Sequence, residues 1–312
     1  NIDDPSAFFQ TTLYTGNTSA PRSITNDGNS NLQPDMVWAK NRTTNGTDHE
    51  LYDSSRGTGT ERNLQPNSTA AEGIATTYGQ LTSFDTDGFT VNAGGTNDDK
   101  FNENGSEFVA WQWKANAGTT STNSDGDINS TVQVNQDAGF SIVTYNPSNT
   151  TARNIGHGLG ATPGVILIRN RTRIENWRLW HHSIGQGAAI LDGTSAYNSS
   201  TSTLVNTVTS TYFNVGTDFS VNGNYPIVAW CWAEKQGYSK FGKYVGTSND
   251  NGTFVYLGFK PRWLMIKSTQ ATMSWDIIDT ARSTSNVMDD YLTAHTTDPE
   301  GTSSTKNIDF LS

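Results

Sequence analysis

Hydrophobic and polar residues alternate along short stretches of this chain, in the pattern of β-strands rather than helices. Residues 140–145, Phe-Ser-Ile-Val-Thr-Tyr, place β-branched or aromatic side chains on both faces of a predicted strand. A glycine-rich turn follows at 156–160, and Pro163 then opens a second β-branched run, where the missing proline N–H removes no ladder hydrogen bond. Together these stretches predict a two-stranded building block.

The same building block occurs three times along the chain. Its proline-led strands start at Pro34, Pro163 and Pro261, and a second aromatic strand follows each of them after a polar turn. The first two copies also end in matched strands, Val-Ala-Trp-Gln-Trp at 109–113 and Val-Ala-Trp-Cys-Trp at 228–232. Internal repeats of this kind indicate copies of one supersecondary unit. The sequence therefore predicts an all-β protein of tandem antiparallel β-sandwich or jelly-roll-like repeats.

The repeats also predict the boundaries of the units. We assign residues 1–115 to a first sandwich unit with an N-terminal arm, 116–138 to a polar linker, 139–239 to a second unit and 240–312 to a third. At the spacing of the second unit, the last matched strand of the third would fall beyond Ser312, so this unit is expected to be incomplete, either because the chain was cut or because another part of the assembly supplies the strand. An open sheet edge favours self-association into an oligomer or fibre, in which another part of the assembly covers the edge.

The matched tryptophans divide the aromatic residues into two groups. Trp111 and Trp113 stand two residues apart, as their counterparts in the second unit do, so each pair shares one strand face and indicates a core wall. Trp38 and Trp263 are aligned with each other in the proline-led strands. Trp180 has no tryptophan counterpart in the other units, which makes it a candidate for an exposed sugar-stacking platform, although the core interpretation is favoured.

Composition and charge exclude several classes of partner. The formal net charge of −10 and a pI near 4.8 argue against nucleic acid, because binding to phosphates requires a basic surface. Nine tryptophans, thirteen phenylalanines and eleven tyrosines supply large side chains for a packed core, which argues against a disordered chain. Cys231 is the only cysteine, so no disulfide within the chain is possible. No stretch of the sequence reaches the 18 or more apolar residues of a membrane span.

These stretches carry a resemblance to a known group of proteins. Residues 140–145, the Gly-His-Gly-Leu-Gly turn, residues 228–234 and residues 237–242 resemble a repeat region of predicted structural proteins of marine tailed bacteriophages of the cyanophage type. The resemblance covers nearly the whole chain and implies a virion location, tail-fibre-like, with other virion proteins as partners. It transfers no catalytic or binding residue.

One loop has the composition of a calcium site. Asp125, Asp127 and Asn129 place oxygen ligands at alternate positions in the linker, as a calcium loop would. The loop lacks the full twelve-residue spacing and the terminal glutamate of an EF-hand, and an Asp-Gly turn explains the same residues. We predict no cofactor apart from this calcium alternative.

Two polar segments at the same point of the repeat are candidate glycan-binding loops, because loops change at little cost to packing. They run from Arg56 to Tyr78 in the first unit and from Asp192 to Thr209 in the second. Aromatic faces and short polar side chains bind neutral sugars. The candidate residues in these loops are Tyr78 and Tyr197 for stacking, and Asn67, Asp192 and Asn198 for hydrogen bonds.

The function that we predict is structural and non-catalytic: a subunit of a bacteriophage virion appendage or surface, in contact with other virion proteins and with host glycans. The alternative is a secreted or cell-surface bacterial carbohydrate-binding or filament protein, because β-sandwiches serve both classes. A glycosidase is the third interpretation, since paired carboxylates can meet in space without a local motif. We predict no enzyme, because no acidic residue recurs in an apolar strand of all three units.

Overall fold

A computed structural model describes residues 2–73, 78–94, 100–147, 151–199, 202–249 and 251–311. These residues form an all-β protein of antiparallel strands, with a single 3-10 turn at Pro5–Ala7 in the part described. The strands of residues 1–115 are β1 (Phe9–Thr15), β2 (Arg22–Ile24), β3 (Met36–Asn41), β4 (Glu50–Asp53), β5 (Gln80–Asp85), β6 (Gly88–Asn92) and β7 (Glu107–Trp113).

The remaining strands follow in chain order. Residues 116–239 contain β8 (Ser121–Asn123), β9 (Ser130–Asn135), β10 (Phe140–Tyr145), β11 (Arg153–Gly156), β12 (Pro163–Asn170), β13 (Arg178–His181), β14 (Ala189–Ile190), β15 (Val205–Val208), β16 (Tyr212–Val215) and β17 (Ile227–Ala233). Residues 240–312 contain β18 (Trp263–Lys267), β19 (Trp275–Asp279), β20 (Asp290–Thr293) and β21 (Gly301–Thr302).

Each unit is built on an inner sheet that contains its proline-led strand. The strand orders are β1-β7-β3-β4 in the first unit, β14-β13-β12-β17-β10-β9-β8 in the second and β18-β19-β20-β21 in the third. Smaller outer sheets, β2-β6-β5 and β11-β16-β15, contribute side chains such as Phe89 and Phe213 to cores shared with the first two inner sheets. This arrangement confirms the predicted sandwich class of fold.

The strand registers show which positions of the units correspond. In each unit one residue of the proline-led strand pairs with the last residue of the next strand. The three pairs are Met36–Asp53, Val165–His181 and Trp263–Asp279. Trp38 therefore corresponds to Met265, and aligning Trp38 with Trp263 was wrong by two residues. A shift of two residues keeps every side chain on the same face of a strand, so the hydrophobic pattern alone could not detect it.

The inner faces of the three units meet in one hydrophobic core. Met36, Trp111, Phe140, Trp230 and Ile277 belong to the same buried cluster, although they come from all three units. The rings of neighbouring units touch edge to face there, with centroids 6.0 Å apart for Trp113–Trp232 and 5.7 Å apart for Trp113–Trp263. The matched tryptophans are thus a core wall, as predicted, and the wall is shared between the units.

Candidate functional site

The three units contact one another in a closed ring, through equivalent side chains just before or at the start of β4, β13 and β19. Each side chain crosses to a backbone carbonyl of a neighbouring unit. The three hydrogen bonds join His49 Nε2 to Thr293 O (3.2 Å), Trp177 Nε1 to Gln65 O (2.9 Å) and Trp275 Nε1 to Ile190 O (2.8 Å). They link the first unit to the third, the second to the first and the third to the second.

His49 occupies the position that Trp177 and Trp275 occupy in the other two units. Its tautomer is fixed by the hydrogen bonds of both ring nitrogens. Its Nδ1 accepts a hydrogen bond from Trp38 Nε1 at 3.0 Å, so Nε2 carries the proton and donates to the third unit. The imidazole is fully buried, and burial holds the pKa of His49 well below its ordinary value. A neutral histidine therefore bridges the two units at neutral pH.

Two of the three interfaces also contain a buried network of ion pairs. The first consists of Arg56 bound to Asp53 (2.5 Å) and to Glu72 (2.7 Å), with Arg171 of the second unit on the same glutamate (2.7 Å). The second consists of Arg282 bound to Asp279 (2.6 Å) and to Glu300 (3.0 Å), with Arg42 of the first unit on that glutamate (2.7 Å). Both networks join charges from two units, and the Arg56 and Arg282 side chains at their centres are fully buried.

Each buried arginine also lies over a matched tryptophan of the neighbouring unit. The Arg56 guanidinium is 5.6 Å from the centre of the Trp230 ring, and Arg282 is 5.7 Å from that of Trp111. The Trp111 indole N–H also donates to Asp279 at 3.0 Å. At these two corners of the ring, the Trp of a Val-Ala-Trp-x-Trp strand is held by the Asp-x-x-Arg turn of another unit.

The interface between the second and third units has the same backbone geometry, without a buried network of ion pairs among the described residues. Tyr197 N donates to Thr269 O at 3.0 Å, just as Glu72 N donates to Arg171 O at 2.7 Å. At the place of the aspartate and arginine stand His181 and Ile184, both half-buried. Burial and the adjacent His182 lower the pKa of His181 to about 4. This third corner therefore presents a neutral, partly apolar surface.

The strand that would meet the third corner is missing from the described residues. β3 lies between β4 and β7, and β12 lies between β13 and β17. In contrast, β18 pairs with β19 alone among the described strands, so its other edge is open. Every residue of β3 and β12 is buried, whereas all five residues of β18 are only half-buried. We take this open edge, residues 263–267, as the candidate functional site.

The segment that leads into β18 exposes an unusual amount of apolar surface. The exposed side chains there are Tyr244, Val245, Phe254, Val255 and Tyr256, with Val245 82% exposed and Tyr256 78% exposed. In the first two units the corresponding first strands, β1 and β10, pair with β7 and β17. Grouped exposed apolar side chains of this kind mark interaction surfaces. The open edge and this segment together lack the strand that organises the other two units.

The predicted sugar-binding residues are not brought together on one surface. Trp180 is 5% exposed and lies in the core of the second unit, so it is no platform for stacking. Tyr197 is half-buried against the shared core, and its hydroxyl donates to Gly185 O at 3.1 Å. Burial raises the pKa of Tyr197 to about 12. Tyr78 is 38% exposed, with the Lys100 ammonium 5.5 Å from its ring centre.

The polar residues that were predicted to bind a sugar include two that accept hydrogen bonds from backbone N–H groups at equivalent places in their units. Asn67 Oδ1 accepts the N–H of His49 at 2.8 Å, and Asp192 Oδ1 accepts the N–H of Trp177 at 2.8 Å. Both side chains thus fix the start of a strand next to an interface between units. Asn198 is exposed and exchanges backbone hydrogen bonds with Ala188. Asn67 and Asp192 therefore hold equivalent positions in their units, where they fix the backbone by hydrogen bonds.

The predicted calcium loop is exposed and closed by its own hydrogen bonds. Asp125 N donates to Asn123 Oδ1 at 3.0 Å, and Asp127 Oδ2 accepts the N–H of Asn154 at 2.8 Å. Asn129 lies at its exposed end. Among the described residues, no group of three or more histidine, cysteine, aspartate or glutamate side chains could hold a metal ion. Calcium binding at this loop stays a prediction.

Sequence reasoning missed the ion networks, although a signal was present. Asp-Ser-Ser-Arg at 53–56 and Asp-Thr-Ala-Arg at 279–282 follow the second strand of their units at the same offset, and the second unit has His-His-Ser-Ile at 181–184. The difference among these turns marks the two charged corners and the neutral one. Their glutamate partners lie 16 and 18 residues further on, with no motif to identify them.

Comparison with known proteins places the chain in one family. It belongs to the family described as a domain of unknown function, DUF7483, whose model matches residues 4–312. No curated protein and no solved structure is similar enough to count as a match. Within the described residues, no helix has the length and apolar character needed to cross a membrane.

Proposed function

We propose that the protein is a non-catalytic structural subunit of a bacteriophage virion appendage, located on the particle and outside the host cell, where it binds other virion proteins. The observation that carries this proposal is the open edge of β18, with the exposed aromatic segment before it. An unpaired strand edge with apolar side chains on both faces is a surface for assembly. The resemblance to tail-fibre-like repeats supplies the kind of assembly.

The use of charged groups inside the fold supports a structural role. Ionisable residues with perturbed pKa values often mark catalytic sites, but structural ion networks also perturb pKa values. Here Arg56 pairs with Asp53 and Glu72 of its own unit, and Arg171 of the second unit binds the same Glu72. Asp35, whose pKa is raised by burial, accepts hydrogen bonds from the N–H groups of Ala115, Ala117 and Gly118. These groups fix the chain where the first unit ends and the linker begins.

Immunogold electron microscopy of native particles tests the proposal. An antibody raised against residues 240–262 is applied to particles released from the cells that make the protein. We expect gold label at an appendage of a virus particle. A second antibody, raised against a loop such as residues 116–130, should label the same place. Label confined to cell-surface filaments or to free protein would overturn the virion role in favour of the bacterial alternative.

Glycan contact is a separate proposal, carried by the exposed Tyr78 and Asn198 rather than by the buried Trp180. A glycan array with the whole protein and with a Tyr78→Ala variant tests it. We expect the variant to lose signal on neutral glycans, because an aromatic face is the usual stacking surface for a sugar. Equal signals, or none with the parent protein, would remove glycans from the proposal and leave the structural role unaffected.

A further inference from the structure

We propose that Lys100 and Asn63 of the first unit join in an isopeptide bond, which the chain forms by itself with loss of ammonia and with Glu50 as the proton carrier. The geometry behind this inference is one buried carboxylate with an amine on one oxygen and a carboxamide on the other. The inference goes beyond the proposed function and does not rest on it. It describes a single self-modification of each molecule, without turnover of a substrate.

Glu50, the first residue of β4, brings the two reacting groups together. The Lys100 ammonium lies 2.6 Å from Glu50 Oε1, and Asn63 Nδ2 donates to Glu50 Oε2 at 3.0 Å. Because a carboxylate only accepts hydrogen bonds, the Asn63 side chain presents its NH2 group to Glu50, and this is the group that leaves when an amide is attacked. The nucleophile and the leaving group are thus each one hydrogen bond away from the same carboxyl group.

Both reacting groups are held against β4 by the residues that follow them in the chain. Leu64 exchanges two backbone hydrogen bonds with Leu51, at 2.8 and 3.0 Å. Phe101 is fully buried, and its ring lies edge to face with that of Tyr52, with centroids 5.9 Å apart. Groups that are held in place in this way react at a high effective concentration, because the entropy of bringing them together is lost on folding.

Burial favours the protonation states that the reaction requires. Glu50 is 1% exposed and Lys100 is 5% exposed, and burial raises the pKa of Glu50. Transfer of one proton from Lys100 Nζ to Glu50 Oε1 turns a buried ion pair into a neutral pair, which removes two desolvated charges and frees the lone pair of the amine. Asp48 also faces this amine, at 3.7 Å, but it is only half-buried. The fully buried Glu50 is therefore the better proton acceptor.

The reaction balances in atoms and in charge. The Lys100 amine nitrogen forms a bond to Cγ of Asn63, and the Cγ–Nδ2 bond breaks. Glu50 takes protons from the attacking nitrogen and returns one to the leaving nitrogen, so ammonia rather than an amide anion departs. The ammonium of the lysine and the carboxamide of the asparagine become one secondary amide and one ammonium ion. The step consumes no further reactant.

A second carboxamide near Glu50 is less well placed. Gln65 Nε2 donates to Asp48 Oδ2 at 2.8 Å and lies 3.4 Å from Glu50 Oε1. It therefore shares the oxygen that the Lys100 amine occupies. The proton relay needs the leaving group at the other oxygen, Oε2, which accepts from Asn63. This difference assigns the bond to Asn63.

The equivalent positions of the other units distinguish this site. Glu50, Arg178 and Asp276 hold one register position, and each forms an ion pair with a later segment of its unit. An arginine is no nucleophile, because its guanidinium keeps its proton in proteins. In the third unit Lys306 lies 2.9 Å from Asp276, and both side chains are partly exposed to water. The buried amine, carboxyl and carboxamide therefore occur together at this register position in the first unit.

The bond would act as a staple in a chain that has a single cysteine. It would close a loop of residues 63–100, which contains most of the long polar segment of the first unit. A covalent link of this kind stabilises the folded state, because it lowers the conformational entropy of the unfolded chain, as a disulfide does. Cys231 cannot supply such a link within the chain.

Mass spectrometry of the full chain tests the proposal. The folded protein is incubated, denatured and weighed intact, and we expect its mass to fall short of the mass of its sequence by one ammonia. Proteolysis and tandem mass spectrometry should then yield one branched peptide that joins the side chains of Asn63 and Lys100. A parent protein that keeps the full mass of its sequence would overturn the proposal.

Three variants assign the roles of the residues. Lys100→Arg keeps a cation beside Glu50 and removes the nucleophile, while Glu50→Gln removes the proton carrier, so we expect complete loss of the cross-link in both. The matched control is Lys306→Arg, which makes the same change in the ion pair of the third unit and should lose ammonia as the parent does. Thermal unfolding verifies that the variants fold. If Glu50→Gln does not fold, the parent and Lys100→Arg decide the outcome.

The location of the lost ammonia excludes another source. An asparagine followed by glycine, such as Asn45 or Asn104, also loses ammonia when it cyclises onto its own backbone. That product gives an unbranched peptide and persists in Lys100→Arg. A loss of mass that remains in Lys100→Arg, or a branched peptide that joins Lys100 to Gln65, would overturn the proposal.

Discussion

β3 and β18 are corresponding strands with opposite surroundings. Both follow a proline, both pair with a second aromatic strand in the same register, and both alternate large apolar side chains. β3 is fully buried because β7 covers its other edge and the outer sheet β2-β6-β5 covers one of its faces, whereas β18 remains half-buried with neither among the described strands. The comparison teaches that burial of the proline-led strand depends both on a strand at its second edge and on an outer sheet over one face.

The three interfaces between units differ in a similar way. Two of them join the units by buried arginines that lie over a tryptophan, and these are the interfaces where a matched strand is present. The third joins them through Tyr197 and Thr269, and its corner residues are His181 and Ile184. The buried charged groups therefore lie at the interfaces where both partners are fixed in place, which limits the free-energy cost of burying them.

The largest expected effect comes from removing a buried arginine. In an Arg56→Ala variant, buried Asp53 loses its cation and Glu72 keeps only Arg171, so we expect the free energy of unfolding to fall by about 3–5 kcal/mol. Chemical denaturation followed by tryptophan fluorescence measures the change. The matched control is Ile184→Ala at the equivalent position of the second unit, where a half-buried side chain should cost about 1 kcal/mol. Equal losses in both variants would contradict the distinction between charged and neutral corners.

A smaller effect separates the two kinds of proline-led strand. Leu167 of β12 and Met265 of β18 occupy the same register position, and Leu167 is 2% exposed while Met265 is half-buried. We expect Leu167→Ala to cost about 2–5 kcal/mol because it leaves a cavity in a closed core. Met265→Ala should cost about 1 kcal/mol, since water already reaches the site. The comparison fails if denaturation gives the two alanine variants the same free energy of unfolding.

The smallest expected effect is a dependence of stability on pH. Burial lowers the pKa of His49, His157 and His181 below that of an unfolded histidine, which is about 6.5. The unfolded chain then binds protons that the folded protein does not, so the stability that these histidines contribute is present above pH 6.5 and is lost as the pH falls toward 4. We expect the free energy of unfolding to decrease between pH 7 and pH 5.

A His181→Gln variant isolates the open corner in this titration. Burial raises the pKa of Asp35 and Glu50, which favours the folded state at low pH, but both groups are the same in the parent and the variant. The variant should therefore lose less stability than the parent between pH 7 and pH 5. Identical slopes for the two proteins would show that the pKa of His181 is the same in the folded protein as in the unfolded chain.

Much of the fold could be predicted from the sequence. Period-two alternation identified the strands, and the repeated Val-Ala-Trp-x-Trp stretches identified the walls of the core, because these signals are local and strand side chains alternate strictly. The alignment of Trp38 with Trp263 failed, because a slip of two residues preserves the face of every side chain.

The candidate site needed the tertiary structure. The open edge is a property of β18 together with the strands that are absent from its side, and the corner pocket combines residues of two units that lie far apart in the chain. Trp180, Asn67 and Asp192 have side chains suited to bind a sugar, and packing decided that one is buried in a core while the other two hold strand backbones. The chain by itself determined where strands form, since that depends on neighbours in sequence. Which side chains stay free to bind a partner depends on contacts between distant segments, so only the folded ring of units decided it.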